Sequence, residues 1–219
     1  MSDSFMVAAR IPMTRDAFER WLDTATPDLA VIADPGAVFD GWFWDGRRVT
    51  DEWDDVEDTT PRGFFAERID AGCAGEPEIT VLLHREGALE AYLFHVGYDQ
   101  PAVHTAMLLL AGAGALRSGP GEDAVLFWAE TSGSLFAPDD EGWLSVLAVG
   151  PGGARFVAEH DLTGPVAGLA VAQERFFALV ERQAEDEEGW DWDSGDPFRT
   201  DTPRDPSFVD PAVLSDPAG

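Results

Sequence analysis

The chain has 219 residues, of which 45% are hydrophobic and 11% aromatic, so it carries enough apolar material for a packed core. Acidic residues number 42 and basic residues 14, which gives a formal net charge of −28 and an isoelectric point near 4.1. A field of this sign repels nucleic-acid phosphates and anionic lipids and attracts basic proteins. Direct nucleic-acid binding and membrane binding are therefore the first function classes that we exclude.

The first predicted element is a strand at residues 5–12. Thr14 is a favourable helix N-cap, and the apolar residues that follow it recur at helical spacing, which predicts an amphipathic helix over 14–25. An aromatic stretch then leads into the dipeptide Asp45-Gly46, which is typical of a hairpin turn. A further short strand is predicted at 63–69.

Two β-rich runs, 79–84 and 89–96, flank Glu86-Gly87 and predict an antiparallel hairpin. The next segment, 101–116, is apolar on nearly all sides, which predicts a buried helix. Its apolar run at 106–116 is shorter than the ~20 residues that span a bilayer, so it does not predict a membrane helix.

Three more strands are predicted at 124–130, 143–149 and 155–159, followed by a long helix near 165–183. Short turns and alternating strands favour a mainly antiparallel sheet, so we expect one α+β domain over residues 1–184 with about three packed helices. Residues 185–219 predict an acidic, Pro-rich tail that is partly extended or disordered. We expect residues from about 190 onward to add little to the stability of the body.

The expected compartment is the cytoplasm. Cys73 is the single cysteine, which rules out an intramolecular disulfide and fits a reducing environment. The first residues lack the basic and apolar regions of a secretory signal peptide. Every basic residue is an arginine, and neither Lys nor Asn occurs, which favours a GC-rich genome such as that of an actinobacterium or a haloarchaeon.

No pattern of a catalytic or metal site is complete in the sequence. In the predicted hairpin His84 and His95 lie on one sheet face but roughly 20 Å apart, so they cannot share a metal ion. Negative surroundings disfavour a nucleophilic thiolate at Cys73. The glycine-rich run at 112–117 has Arg117 where a dinucleotide-binding loop needs a small residue. We therefore expect no catalytic residues, no metal and no cofactor.

The most distinctive stretch is 40–58, which holds eight acids, two Arg and three Trp in 19 residues. One interpretation places the Trp side chains in the core and the acids on a solvated rim. The other is an interface in which aromatic anchors are ringed by acids and face a basic partner. The candidate partner-binding residues are Trp42, Trp44, Asp45, Asp51, Glu52, Trp53, Asp54, Asp55, Glu57 and Asp58.

In size, acidity, α+β layout and absence of an active-site motif, the chain resembles the acidic cytoplasmic immunity proteins of bacterial polymorphic-toxin systems, especially actinobacterial ones. The resemblance covers the whole chain diffusely and transfers no individual site residue. It implies a protein that is not an enzyme and that neutralises a basic partner, a secreted toxin domain, by covering its cationic site.

Two alternatives from other classes stay open. One is a DNA mimic, in which the tail and the run 51–58 imitate phosphate spacing and block a nucleic-acid-binding protein. The other is an enzyme or ligand-binding domain of a salt-loving organism, whose acids serve general solvation. Acids spread evenly over the surface favour the halophile, and acids gathered on one face favour a binding protein.

Overall fold

The computed structural model describes most of the body of the chain and part of its C-terminal region. The described residues are 4–39, 43–44, 47–48, 53, 56–73, 79–94, 100–130, 143–157, 161, 163, 167–168, 170–171, 174–175, 178 and 202–215. They form an α+β fold around a six-stranded antiparallel sheet, which confirms the predicted fold class.

The elements follow one another in an order close to the predicted one. The helices are α1 (Arg15–Leu22), α2 (Pro61–Cys73), α3 (Gln100–Ala113) and the short α4 (Pro211–Leu214). The strands are β1 (Ser4–Pro12), β2 (Phe43–Trp44), β3 (Arg47–Arg48), β4 (Ile79–Arg85), β5 (Ala88–Phe94), β6 (Asp123–Glu130), β7 (Trp143–Gly150) and β8 (Gly153–Val157).

The main sheet has the strand order β4-β5-β1-β6-β7-β8, and every neighbouring pair is antiparallel. The tight turn at Glu86-Gly87 sets the register of the β4–β5 hairpin. Both turn residues have positive φ, 51° and 72°, as a two-residue hairpin turn requires, and a glycine adopts such angles without strain. His84 consequently pairs with Leu89, as the sequence predicts.

One face of the sheet carries α1, α2 and α3. The ring of Phe18 in α1 lies 5.5 Å from the ring of His84 on that face. Trp21, one turn further along α1, lies 6.1 Å from the ring of Phe65 in α2 and donates from its indole nitrogen to the carbonyl oxygen of Leu109 in α3. The three helices therefore pack on one another as well as on the sheet. Residues 102–111 of α3 are all buried, which confirms the prediction of a buried helix.

The opposite face of the sheet meets helical backbone at the described positions between 163 and 178, within the predicted C-terminal helix. Tyr92 on this face is fully buried, and any side chain at position 168 would collide with its hydroxyl group. Only glycine at this position permits so close an approach. Burial raises the pKa of Tyr92, and the nearby negative charge of Glu90 adds to the shift.

The short strand predicted at 63–69 is wrong, because these residues belong to helix α2. The amide of Gly63 donates to the side chain of Thr60, which caps the helix, and Pro61 occupies its first position. Phe64, Phe65 and Ile69 are buried on the inner side. A Thr followed directly by Pro was the helix-start signal in this stretch, and the adjacent phenylalanines concealed it.

Residues 202–215, the C-terminal segment, pack against the edge strand β4. The amide of Leu82 donates to the carbonyl oxygen of Phe208, and the amide of Asp210 donates to the carbonyl oxygen of Leu82, both at 2.8 Å. Phe208, Val209 and Val213 are buried in the main core. This packing runs against the expectation that residues beyond about 190 add little to stability. Positions 185–201 and 216–219 lie outside the described residues.

The other edge of the sheet is covered in a similar way. Ile32 forms a parallel bridge with Ala154 in β8, and the amide of Ala33 donates to the carbonyl oxygen of Ala154 at 2.8 Å. Exposed strand edges are templates for unwanted pairing with other chains. Short extended segments therefore protect both edges, and both belong to regions that the sequence did not predict as strands.

Candidate partner-binding surface

The structure describes only part of the predicted partner-binding stretch. Trp44 belongs to β2, where its backbone pairs with Arg47 across the predicted hairpin. Trp53, Glu57 and Asp58 are described with their side chains. The other candidates fall on residues outside the described ranges: Trp42, Asp45, Asp51, Glu52, Asp54 and Asp55.

Trp53 anchors the acidic segment, residues 51–60, to the body of the domain. Its side chain is only 8% exposed. The indole stacks on the ring of His104 in α3, with ring centroids 4.4 Å apart and planes tilted by 21°, and its Nε1 donates to the carbonyl oxygen of Pro35 at 3.0 Å. The core interpretation thus describes Trp53 better than the interface interpretation. His104 itself is buried, at 2% exposure.

Polar contacts hold residues 57–59 of the acidic segment in place. The amide of Glu57 donates to the hydroxyl of Thr105 in α3 at 3.1 Å. The hydroxyl of Thr26 lies 3.0 Å from the carbonyl oxygen of Glu57 and 2.9 Å from that of Thr59, and it accepts from the amide of Thr59. The backbone at 57–59 is therefore fixed from both sides, while the carboxylates of Glu57 and Asp58 are exposed to solvent.

Most of the arginine side chains that the structure describes pair with acids of the same chain. The ion pairs among the described residues include Arg10–Glu86, Arg10–Glu90, Arg15–Glu19, Arg15–Asp210, Arg62–Asp23, Arg85–Glu90, Arg117–Asp123, Arg155–Glu122 and Arg204–Asp70. Glu57 and Asp58 make no ion pair with any arginine whose side chain the structure describes. Among the described residues, Glu57 and Asp58 therefore keep their negative charge available to another molecule.

Asp210, which the sequence did not single out, has more hydrogen-bond partners than the other described carboxylates discussed above. It is 5% exposed and accepts a bidentate pair from Arg15, together with the amides of Ala212 and His84. Burial alone would raise the pKa of Asp210. The hydrogen bonds from Arg15 and the Ala212 amide outweigh it and hold the pKa below its ordinary value of 3.8. Only the fold brings Arg15 and Asp210 together, since 195 positions separate them.

An open pocket of about 370 Å³ lies beside the acidic segment, between the end of α3 and the β7–β8 turn. Its walls are mostly apolar or glycine, and it is lined by Trp21, Thr24, Ala25, Pro27, Val31, Pro61, Leu109, Ala111, Gly112, Ala115, Gly150, Pro151, Gly152 and Gly153. Thr26, whose hydroxyl holds the backbone at 57–59, sits between lining residues. The pocket and the acidic segment therefore form one continuous surface.

Neither a metal centre nor a membrane helix is found in the described part of the chain. No three His, Cys, Asp or Glu side chains there are grouped to hold a metal ion. Among the same residues, no helix combines the length and the apolar character that crossing a membrane requires. Comparison of the chain with protein-family models, curated proteins and solved structures finds no match.

Proposed function

We propose that the protein is a cytoplasmic inhibitor of the toxin-immunity type, which binds a basic protein through the aromatic and acidic stretch 42–58. The observation that carries the proposal is the way in which the acidic segment is built. The buried side chain of Trp53 contacts α3, and the backbone at 57–59 is held by α3 and Thr26, while the carboxylates of Glu57 and Asp58 are exposed to solvent. The described part of the segment is thus a fixed negative platform.

A fixed negative platform is suited to fast and specific capture. Long-range attraction between opposite charges raises the association rate, most strongly at low salt. A surface that is already ordered loses little conformational entropy on binding, so more of the contact energy appears as affinity. Trp42 and Trp44 flank this platform in sequence and are the proposed aromatic anchors, since Trp53 is used within the core.

A second candidate is the ligand-binding or enzymatic domain of a salt-loving organism. Exposed acids occur on both sides of the sheet, for example at Asp16 and Glu67 on one side and at Glu174 on the other. Such a spread is the distribution expected if acidity serves general solvation. The charge pattern of the described surface therefore does not select a binding face by itself, and the anchored acidic segment is what favours the inhibitor.

The test is capture of the partner from the native organism, followed by kinetics with two matched variants. The first neutralises Asp54, Asp55, Glu57 and Asp58 to their amides, and the control neutralises four acids outside the stretch, at Asp16, Glu67, Glu86 and Glu174. We expect a basic partner, and about tenfold slower association at low salt for the first variant only. Trp42→Ala or Trp44→Ala should instead raise the dissociation rate, by an amount that corresponds to a loss of roughly 2 kcal/mol or more in binding free energy.

Three outcomes contradict the proposal. The captured partner is acidic, the two neutralised variants associate equally fast, or neither Trp variant changes dissociation. If no protein partner is recovered and the chain folds only in molar salt, the second candidate, a ligand-binding or enzymatic domain of a salt-loving organism, replaces the proposed inhibitor. If the partner is a nucleic-acid-binding protein and DNA competes with this chain for binding to it, the DNA-mimic interpretation replaces the proposed inhibitor.

A further inference from the structure

We infer that the pocket beside the acidic segment receives a long basic side chain, arginine or lysine, from the partner protein. The inference rests on the proposed function and adds to it a subsite and the chemistry of its occupant. The pocket has about the right size for one large side chain, because its 370 Å³ is near the lower end of the ~300–1,000 Å³ found for small-ligand pockets.

The pocket walls match the aliphatic part of such a side chain. Trp21, Val31 and Leu109 provide apolar surface, and Pro27 and Pro61 also line the pocket. Lysine and arginine bury their methylene groups along surfaces of this kind while the charged end stays near water or acids. The glycines at the β7–β8 turn leave the space open, since no side chain projects from them.

The charges around the opening match the cationic end. Asp28 follows the lining residue Pro27 and is exposed, and Asp58 lies three positions before the lining residue Pro61 and is also exposed. Four arginines lie close in sequence to the lining residues. Three of them form ion pairs with acids, Arg62 with Asp23, Arg117 with Asp123 and Arg155 with Glu122. The fourth, Arg20, is exposed, and the two exposed acids Asp28 and Asp58 exceed it by one negative charge.

Helix α3 adds partial negative charge at the same place. The last turns of α3 and the 3₁₀ turn after it, Gly114–Leu116, contribute Leu109, Ala111, Gly112 and Ala115 to the wall. The C-terminal end of a helix carries about half of an elementary negative charge and favours cations. An apolar wall, exposed carboxylates and a helix C-terminus together select a side chain that is aliphatic along its length and positive at its tip.

The pocket can be tested without the native partner. The probes are Nα-acetyl-arginine amide and, as neutral control, Nα-acetyl-leucine amide, each titrated into the full chain while the indole N–H resonance of Trp21 is followed by NMR. We expect the arginine probe to saturate with a dissociation constant on the order of 1–10 mM. The leucine probe should bind at least about tenfold more weakly, because it lacks the charge.

Filling the pocket should abolish this binding. Ala115→Phe narrows the pocket from the 3₁₀ turn after α3, and Ala25→Phe narrows it from the segment that follows α1. If one of the two variants fails to fold, the other still provides the test. Both positions are exposed. Ala170→Phe is the matched control, an exposed alanine among the helical positions on the other side of the sheet. Equal binding of both probes, or arginine binding that survives Ala115→Phe and Ala25→Phe, overturns the subsite.

The same variants separate this inference from the proposed function. Once the basic partner is captured, Ala115→Phe should speed its dissociation by about tenfold or more, and Ala170→Phe should not. If the partner dissociates from Ala115→Phe as slowly as from the parent chain, the proposed side-chain subsite is wrong, and the proposed inhibitory function is unaffected. If no basic protein is captured but the arginine probe binds and the filled pocket rejects it, the inhibitor is wrong and the cation-selective pocket stands.

Discussion

The acidic segment and the C-terminal segment use their acids differently. The sequence predicts solvated surface as one interpretation of the first and a solvated tail for the second. Residues 51–60 hold six acids, whereas residues 202–215 hold two, Asp205 and Asp210. In the C-terminal segment, Asp210 turns inward to Arg15 and to two backbone amides, while Phe208 fills the core beside β4. Among the described residues of the acidic segment, Trp53 turns inward, and Glu57 and Asp58 remain exposed.

The contrast shows that acidity alone does not indicate what a segment does. An acid with an internal cationic partner contributes to the fold, because removing it leaves a buried guanidinium or amide unsatisfied. An acid without such a partner adds little to the fold and remains available to another molecule. The difference between the two segments therefore predicts a separation of effects, in which changes to one alter stability and changes to the other alter binding.

Deleting residues 202–219 should have the largest effect on stability. The deletion exposes the edge of β4 and removes the buried side chains Phe208, Val209 and Val213, which together contribute about 5 kcal/mol or more. Thermal and urea unfolding of the two chains measure the difference. Deleting only 216–219 is the control and should leave the midpoint unchanged. If the thermal unfolding midpoint after the long deletion lies within a few degrees of that of the full chain, the C-terminal segment contributes little to stability.

Trp53→Ala should be the next most costly change, at about 3–5 kcal/mol in the free energy of unfolding. The substitution opens a cavity against His104 and loses the hydrogen bond to the carbonyl oxygen of Pro35. Trp53→Phe keeps an aromatic ring and should cost less. Urea unfolding monitored by circular dichroism provides the comparison. If Trp53→Ala unfolds like the parent chain yet weakens partner binding, Trp53 is an interface anchor after all.

Asp210→Asn should destabilise the chain by about 2 kcal/mol at neutral pH, since it removes the negative charge facing Arg15. The amide oxygen can still accept from the Ala212 amide, so the cap of α4 is retained. Asp210→Ala removes both contacts and should cost more. Denaturant titrations of the three proteins at pH 7 rank them. Equal stability of Asp210→Asn and the parent would show that the ion pair adds nothing.

The pH dependence of stability tests the same carboxylate. The pKa of Asp210 is lowered in the folded state. The ionised carboxylate therefore contributes fully to the free energy of unfolding at pH values above its ordinary pKa of 3.8, and this contribution is lost as the pH falls through the lowered pKa. The gap in unfolding free energy between parent and Asp210→Asn should hold from pH 7 to about 5 and shrink below about 4. Asp23, whose pKa is lowered by its hydrogen bond from Arg62, is exposed, so Asp23→Asn should show a smaller effect. If this difference in unfolding free energy grows at acidic pH, the pKa of Asp210 is raised and not lowered in the folded state.

The sequence predicted those elements whose signals are local. The Thr14 cap, the Glu86-Gly87 turn and the apolar run of α3 each indicate one structure, and all three are confirmed. The adjacent phenylalanines of α2 fit a strand as well as a helix, and this ambiguity produced the error there. Pairs such as Arg15 with Asp210, and the burial of Trp53 on His104, join residues far apart in sequence, and no local pattern indicates them.

The smallest effect on stability should come from the double change Glu57→Gln and Asp58→Asn. Both side chains are exposed and make no ion pair with the described arginines, so unfolding free energy should change by no more than about 0.5 kcal/mol. The backbone contacts of Glu57 and Thr59 with Thr105 and Thr26 do not involve the carboxylates and persist. Urea unfolding at low and high salt measures the change, with Asp210→Asn as the destabilised reference. If the double variant loses as much stability as that reference, these carboxylates belong to the fold, and the separation between the two segments fails. If it keeps full stability, any loss of partner association that it shows arises at the binding surface.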